Sequence, residues 1–194
     1  MHKYKGQIIA HIGPMFGGKT SGLLADVRKM RIAGYNVALF KPTMDNRYSE
    51  NEVVNHDGEK INAINIDNVY DILKHVKDNP SVNVIAIDEF QFLKGGCSTP
   101  AGMITMLTEL VYKYKKTLII SGLDLDSDLR PFDNIKELLP FATHIFKHKA
   151  VCVKCGNDAT ASYCKIEKDN QEQIGGSEIY EPRCLSCYFK GERA

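Results

Sequence analysis

With 194 residues, 43% of them apolar and 25% charged, the chain has the make-up of a globular protein with a sizeable core, which excludes a disordered or low-complexity one. A formal net charge of +1 argues against a broad polyanion-binding surface, and no run approaches the ~18 apolar residues of a membrane span. Met1-His2-Lys3-Tyr4-Lys5-Gly6 leads toward the first strand without an apolar leader, so a cytoplasmic protein is expected, with six cysteines that serve as metal ligands or free thiols rather than disulfides.

Gln7 to Ile12 reads as a buried strand, and Gly13-Pro14-Met15-Phe16-Gly17-Gly18-Lys19-Thr20 follows it. That octapeptide has the G-x-x-x-x-G-K-[ST] spacing of a phosphate-binding loop. Its glycines let the backbone turn tightly and approach phosphate oxygens. Its amides form an anion-binding nest at the positive end of the next helix. Lys19 is placed to reach the β- and γ-phosphates of a nucleotide, and the Thr20 hydroxyl to hold Mg²⁺. Leu23, Leu24, Val27 and Met30 then recur at helical spacing, with Gly34 as the C-cap.

Asn36 to Lys41 is a second buried strand, ended by Pro42; Thr43 to Lys60 is polar and irregular, a length that is usually functional or disordered. Ile61 to Ile66 alternates as one strand, and Asp67 caps a helix whose Ile72, Leu73 and Val76 share a face, closed by Asn79-Pro80. Val82 to Phe90 is the most hydrophobic strand. Thr99-Pro100 opens a helix striped by Ile104, Leu107 and Val111, with Met103 and Met106 as core filler. Thr117 to Gly122 and Ala142 to Lys147 are strands on either side of a short helix over Ile135 to Leu139. Strands alternating with helices predict an α/β fold: a P-loop parallel sheet with helices on both faces. The expected division is a nucleotide-binding domain over 1–149 and a small C-terminal four-cysteine zinc domain over 150–194.

Within the hydrophobic strand, four apolar residues lead into Asp88-Glu89. A buried parallel strand delivers Asp88 to the carboxyl edge of the sheet, where ligands bind in open α/β folds. Asp88 there can orient Mg²⁺, and Glu89 can accept a proton from an attacking nucleophile. The pair alone could also be a solvated acidic turn. Attack by water would make the chain an ATPase or GTPase; attack by a substrate hydroxyl would make it a kinase.

Cys152-Val153-Lys154-Cys155 and Cys184-Leu185-Ser186-Cys187 supply four thiolates suited to a closed, tetrahedral, structural Zn²⁺ site. The 28 residues between the pairs exceed the usual ~15–20, so a loop from about Ala159 to Pro182, low in apolar content, is expected to project from the metal knot. Cys97 and Cys164 lack partners at ligand spacing and are expected to be free.

These pieces, in this order, resemble the type II thymidine kinases. The resemblance is carried by residues 13–20, by Lys-Pro-Thr-Met-Asp-Asn-Arg-Tyr-Ser at 41–49, by Ile-Asp-Glu-Phe-Gln-Phe at 87–92 and by Ser-Gly-Leu-Asp at 121–124. Pro-Phe at 131–132, Ala-Val-Cys-Val-Lys-Cys-Gly at 150–156 and Ile-Gly-Gly-Ser-Glu-Ile-Tyr at 174–180 complete it, covering nearly the whole chain. It implies transfer of the γ-phosphoryl group of ATP, with Mg²⁺, to the 5′-hydroxyl of thymidine or deoxyuridine in deoxynucleotide salvage. Carried across, Glu89 matches the catalytic base, and Lys19, Thr20 and Asp88 match the phosphate and magnesium residues, with Gln91 beside them. Asp45 and Arg47 match a pair near the transfer site, although a surface ion pair is the plainer reading. The loop between the cysteine pairs resembles the family's lasso over the base. Met15, Phe92, Phe132, Ser162, Ile174, Gly175 and Tyr180 then belong to the nucleoside pocket, or Tyr180 only packs the lasso. A tetramer and inhibition by thymidine triphosphate are further implications.

One segment departs from the pattern. Bacterial relatives usually carry Asp-Phe-Arg-Gly where this chain has Asp126-Ser127-Asp128-Leu129, so an aromatic wall of the base pocket aligns with Ser127. Leu125 or Leu129 can fill that space if the loop shifts. The competing reading is a nucleic-acid-stimulated P-loop ATPase with a zinc-ribbon module. The small size and near-neutral charge argue against it and against a nucleic-acid partner.

Overall fold

Short, almost wholly apolar runs build the sheet, because a parallel strand covered on both faces needs apolar side chains at both parities. The computed structural model describes residues 5–43, 52–54, 60–96, 99–166 and 175–190. In chain order these are β1 (Ile8–Ile12), α1 (Lys19–Ile32), β2 (Val37–Pro42), β3 (Glu52–Val54), β4 (Lys60–Asn62), β5 (Ile64–Ile66), α2 (Val69–Asp78), β6 (Val84–Ile87), α3 (Pro100–Tyr112), β7 (Thr117–Gly122), α4 (Asp133–Leu138) and β8 (His144–Lys147). β9 (Ala150–Val151), β10 (Asp158–Ala159), β11 (Ala161–Cys164), β12 (Tyr180–Arg183) and α5 (Leu185–Phe189) follow.

The main sheet has six strands in the order β5-β2-β6-β7-β1-β8, and every pairing is parallel. The strand period of two sends alternate residues to opposite faces. Ile9, Leu39, Val84, Ala86 and Ile119 pack with Leu23, Leu24, Val27 and Met30 of α1. Ile8, Ala10, Phe40, Ile85, Ile87 and Ile120 pack with Ile72 and Val76 of α2, Met103 and Leu107 of α3 and Ile135 of α4. The expected α/β sheet with helices on both faces is present. α1 ends in a Schellman arrangement around Gly34: the Tyr35 N–H reaches the Met30 carbonyl and the Gly34 N–H the Arg31 carbonyl, both at 3.0 Å.

Three sequence expectations need correction. The cap of α2 is Asn68, not Asp67: Asn68 Oδ1 accepts from the Tyr70 N–H at 2.9 Å, and Asp71 reaches back to the Asn68 N–H at 3.1 Å. Asp67 is instead engaged by the Thr43 hydroxyl at 2.6 Å. Ile61 to Ile66 is two strands, since β4 pairs antiparallel with β3 whereas β5 joins the main sheet beside β2. β3 also gives order to part of the 43–60 stretch. Finally, the loop between the cysteine pairs is narrower at its base than 159–182, because its two flanks are strands: β10 pairs with β9, and β11 pairs with β12 in the register Ser162–Pro182 and Cys164–Tyr180.

Candidate active site

The phosphate-loop residues join β1 to α1 at the carboxyl edge of the sheet. Gly13 has φ +144°, and a Cβ there would lie 2.4 Å from the His148 carbonyl oxygen, so the position takes only glycine. The Gly17 N–H bonds the Pro14 carbonyl at 3.3 Å. Lys19 is buried and crosses the loop to donate to the Pro14 carbonyl at 2.7 Å. Gly18 precedes the first turn of α1, whose orphan amides face this loop. Phe16 holds φ 63°, an unusual value for a bulky residue, and its ring packs against Ala150, Cys152 and Ala159 of the cysteine module.

β6 delivers Asp88 beside that loop. The Thr20 hydroxyl lies 3.3 Å from Asp88 Oδ1 and 3.4 Å from Oδ2, and the Ser121 hydroxyl also donates to Asp88. A hydroxyl and a carboxylate in one cluster are hard oxygen donors of the kind Mg²⁺ takes. The next residue, Glu89, sits at φ 47°, ψ 45°, turning the chain sharply into the 3₁₀ turn Phe90–Phe92. Such left-handed values in a non-glycine residue are maintained only when the surroundings enforce them. Here Gln91 Nε2 donates to Glu89 Oε2 at 2.5 Å, while Gln91 Oε1 accepts the Leu123 N–H at 3.0 Å. Asn134 Nδ2 lies 2.8–3.3 Å from the carbonyls of Phe90, Gln91 and Leu93. The Glu89 carboxylate can thus act as a base whose direction is set by Gln91. Phe92 and Phe132 meet edge to face, with centroids 6.3 Å apart.

Among the described residues the cysteine module meets this site at three places. Besides Phe16, the Met15 N–H donates to Ser162 Oγ at 2.9 Å, and the Tyr188 hydroxyl donates to the Ser127 carbonyl at 2.8 Å. Ser162 is buried and keeps its own hydroxyl hydrogen as a donor. The departing segment 126–129 forms a self-capped turn: Asp126 Oδ1 accepts the N–H groups of Asp128 and Arg130, each at 2.8 Å. Leu125 and Leu129 are both half-buried there. Gly175 is half-buried, and Tyr180 is buried at the start of β12, paired with Cys164 across the hairpin. Asp45, Arg47, Ile174 and Cys97 lie outside the described residues. Cys164 is buried, its thiol donating to the Ile166 carbonyl at 3.3 Å.

Cys152, Cys155, Cys184 and Cys187 bring their sulfurs within 4.8 Å of one another, and Cys155 Sγ is 3.7 Å from Cys184 Sγ. A tetrahedron of ~2.3 Å zinc–sulfur bonds has edges of about 3.8 Å, so the set fits Zn²⁺. Burial pushes the Cys152 thiol up, but hydrogen bonds from the backbone of Cys184, Lys154 and Cys155 outweigh it and bring it down to about 6. Hydrogen bonding to Cys155 and Cys184 holds Cys187 up at about 12. Four sulfurs this close cannot all ionise unaided; a shared dication removes the conflict.

Against this geometry, the family model described as thymidine kinase matches residues 6–188. The chain belongs to the thymidine kinase family. It is therefore a nucleoside kinase, and both the phosphate loop and the four-cysteine cluster fall inside the matched span. No helix among the kinase's described residues is long and apolar enough to cross a membrane. One residue that bears on the kinase's site carried no sequence signal of its own. Asn134 sits far along the chain from the Phe90–Leu93 carbonyls it holds, and nothing in the local pattern distinguishes it, whereas Ser121 entered only as part of the 121–124 motif and not as a partner of Asp88.

Proposed function

We propose that this nucleoside kinase transfers the γ-phosphoryl group of ATP to the 5′-hydroxyl of thymidine or deoxyuridine, in deoxynucleotide salvage. The observation that carries the reading is the Thr20–Asp88–Glu89 cluster at the sheet edge, with the loop amides on one side and Ser162 of the cysteine module on the other. The backbone of Gly13 to Thr20 cradles the triphosphate, and Lys19 neutralises its terminal phosphates. Mg²⁺ held by Thr20 and Asp88 supplies charge neutralisation at the phosphates. Glu89, aimed by Gln91, takes the proton of the 5′-hydroxyl as it attacks. Asp45 and Arg47 belong near the transferring group, where Arg47 offsets developing charge. Met15, Phe92 and Phe132 wall the base; Ser162, Gly175, Ile174 and Tyr180 close over it from the hairpin. Tetramer formation and inhibition by thymidine triphosphate are parts of the same reading, supported by the resemblance.

The test offers thymidine, deoxyuridine, deoxycytidine and single-stranded DNA to the protein with ATP and Mg²⁺. Monophosphates of thymidine and deoxyuridine are expected. ATP hydrolysis stimulated by DNA, with no monophosphate formed, would overturn the proposal.

A further inference from the structure

His11 interrupts an otherwise apolar strand. The alternation of β1 sends it, with Ile9, toward α1, where a polar side chain must find partners or pay a desolvation cost. It finds two. His11 Nε2 lies 3.2 Å from Asp26 Oδ2 on α1, and His11 Nδ1 lies 2.9 Å from His148 Nε2. The ring also stacks on Phe146, with centroids 5.0 Å apart and planes 13° from parallel. α1 makes room for the pair at Gly22, where a Cβ would fall 2.5 Å from His11 Nδ1 and 3.0 Å from His148 Cε1. Three elements are therefore shaped around two imidazoles.

The proton positions follow from Asp26. An ionised carboxylate only accepts, so His11 Nε2 carries the hydrogen and neutral His11 presents a bare Nδ1. His148 Nε2 must then carry its hydrogen toward His11, which leaves His148 Nδ1 as the one nitrogen open to a further proton. His148 is also part of the phosphate loop's support. Its N–H donates to the Ile12 carbonyl at 2.7 Å, and its carbonyl occupies the space that a side chain at Gly13 would need. Burial, then the electrostatic coupling to the His11 ring and the positive charge of Lys19, hold His148 below the ordinary histidine value, while a hydrogen bond to the Gly17 backbone favours its cationic form. Lys29 approaches the far side of Asp26 at 3.9 Å; the neighbouring Lys147 and Lys149 are engaged with Asp124 and Asp158.

We infer that Asp26, His11 and His148 form a proton-accepting relay behind the phosphate loop, and that binding of a nucleotide's polyphosphate loads a proton onto it. The inference rests on the reading of residues 13–20 as the triphosphate cradle. A polyanion in the loop cancels the repulsion from Lys19, so the bound form holds the proton to higher pH than the free form. The sign follows: affinity is greatest at low pH and weakens as pH rises through the pKa of the bound form. For one whole proton the loss approaches tenfold per pH unit between the two pKa values. Because the imidazoles are coupled, the uptake belongs to the pair.

The experiment is calorimetry of the magnesium complex of a β,γ-imido ATP analogue, without nucleoside, between about pH 5.5 and 8, in pairs of buffers of different ionisation enthalpy. Wild type is expected to take up a fraction of a proton that His148→Leu and His148→Gln do not, while both variants still bind. Asp26→Asn should move the uptake to lower pH. Nuclear magnetic resonance titration of the wild-type imidazoles, with and without the analogue, tests the same shift without any variant. Binding with buffer-independent enthalpy and unmoved imidazole titrations overturns the relay alone. Uptake that survives in His148→Leu also overturns it. No binding at any pH brings down the triphosphate cradle and the relay together.

Discussion

Between Ile12 and Lys19 the backbone is clamped by strand β1, paired on both sides, and by a helix of 14 residues. Between Ala150 and Phe189 the chain forms two ribbons of two- and four-residue strands and a five-residue helix. The first region draws on large buried clusters on both faces of the sheet, whereas the second has a cluster of Ala150, Cys152 and Ala159 with Phe16 borrowed from the phosphate loop. So small a core cannot offset the entropy of ordering its own chain. In this contrast the phosphate end is shaped by packing, and the cysteine end by its attachments to the phosphate end and by a four-thiol cluster suited to a metal ion.

The largest expected effect comes from removing the metal. Structural zinc contributes roughly 10 kcal/mol or more to small modules of this kind. A strong chelator, or Cys155→Ser, should abolish hydrogen-exchange protection in β9 to β12 while β1, β6 and β7 keep theirs. Protection that survives in the module would break the comparison. Next comes Glu89→Gln, which should lower turnover at least ~10²-fold with nucleotide-analogue binding intact. Unchanged turnover would remove Glu89 from its role. Ser162→Ala leaves the part-buried Met15 N–H without its hydroxyl partner, a loss of about 1 kcal/mol. It should raise KM for the nucleoside more than for ATP, and equal effects on both would show that the two ends are not joined there. The smallest effect belongs to Asn68→Ala, which loses a capping box on the far side of the sheet from α1. A stability cost of about 1 kcal/mol in denaturant melts, with unchanged kcat, is expected.

The parts of this molecule that could be read from its sequence are those coded by neighbours along the chain. The spacing of Gly13 to Thr20, the apolar run into Asp88-Glu89 and the paired C-x₂-C motifs each occupy a few consecutive positions. The same holds for β7, whose Thr117–Gly122 bounds the sequence reading matched at both ends. Misreadings arose where distant contacts decide. Asp67 and Asn68 are equally good caps locally; in the fold Asn68 forms the capping box with Asp71, and Asp67 accepts from the Thr43 hydroxyl just beyond β2. Ile61 to Ile66 alternates without a break, yet the chain changes sheet at Ala63. The 159–182 stretch reads as loop because it is polar, but Ser162 and Tyr163 are buried: Ser162 meets the phosphate loop, and Tyr163 packs under the guanidinium of the adjoining Arg183 at 3.5 Å. His11, Asp26 and His148 carried no signal, since the two imidazoles that meet lie 137 positions apart.

The most direct test of the central claim is a single-turnover experiment with ATP, Mg²⁺ and excess thymidine, quantifying thymidine monophosphate and ADP in the same samples. The account predicts equal amounts at every time point in wild type, and equal but much slower formation in Glu89→Gln. ADP that accumulates ahead of thymidine monophosphate would contradict it, because the attacking oxygen would then be water.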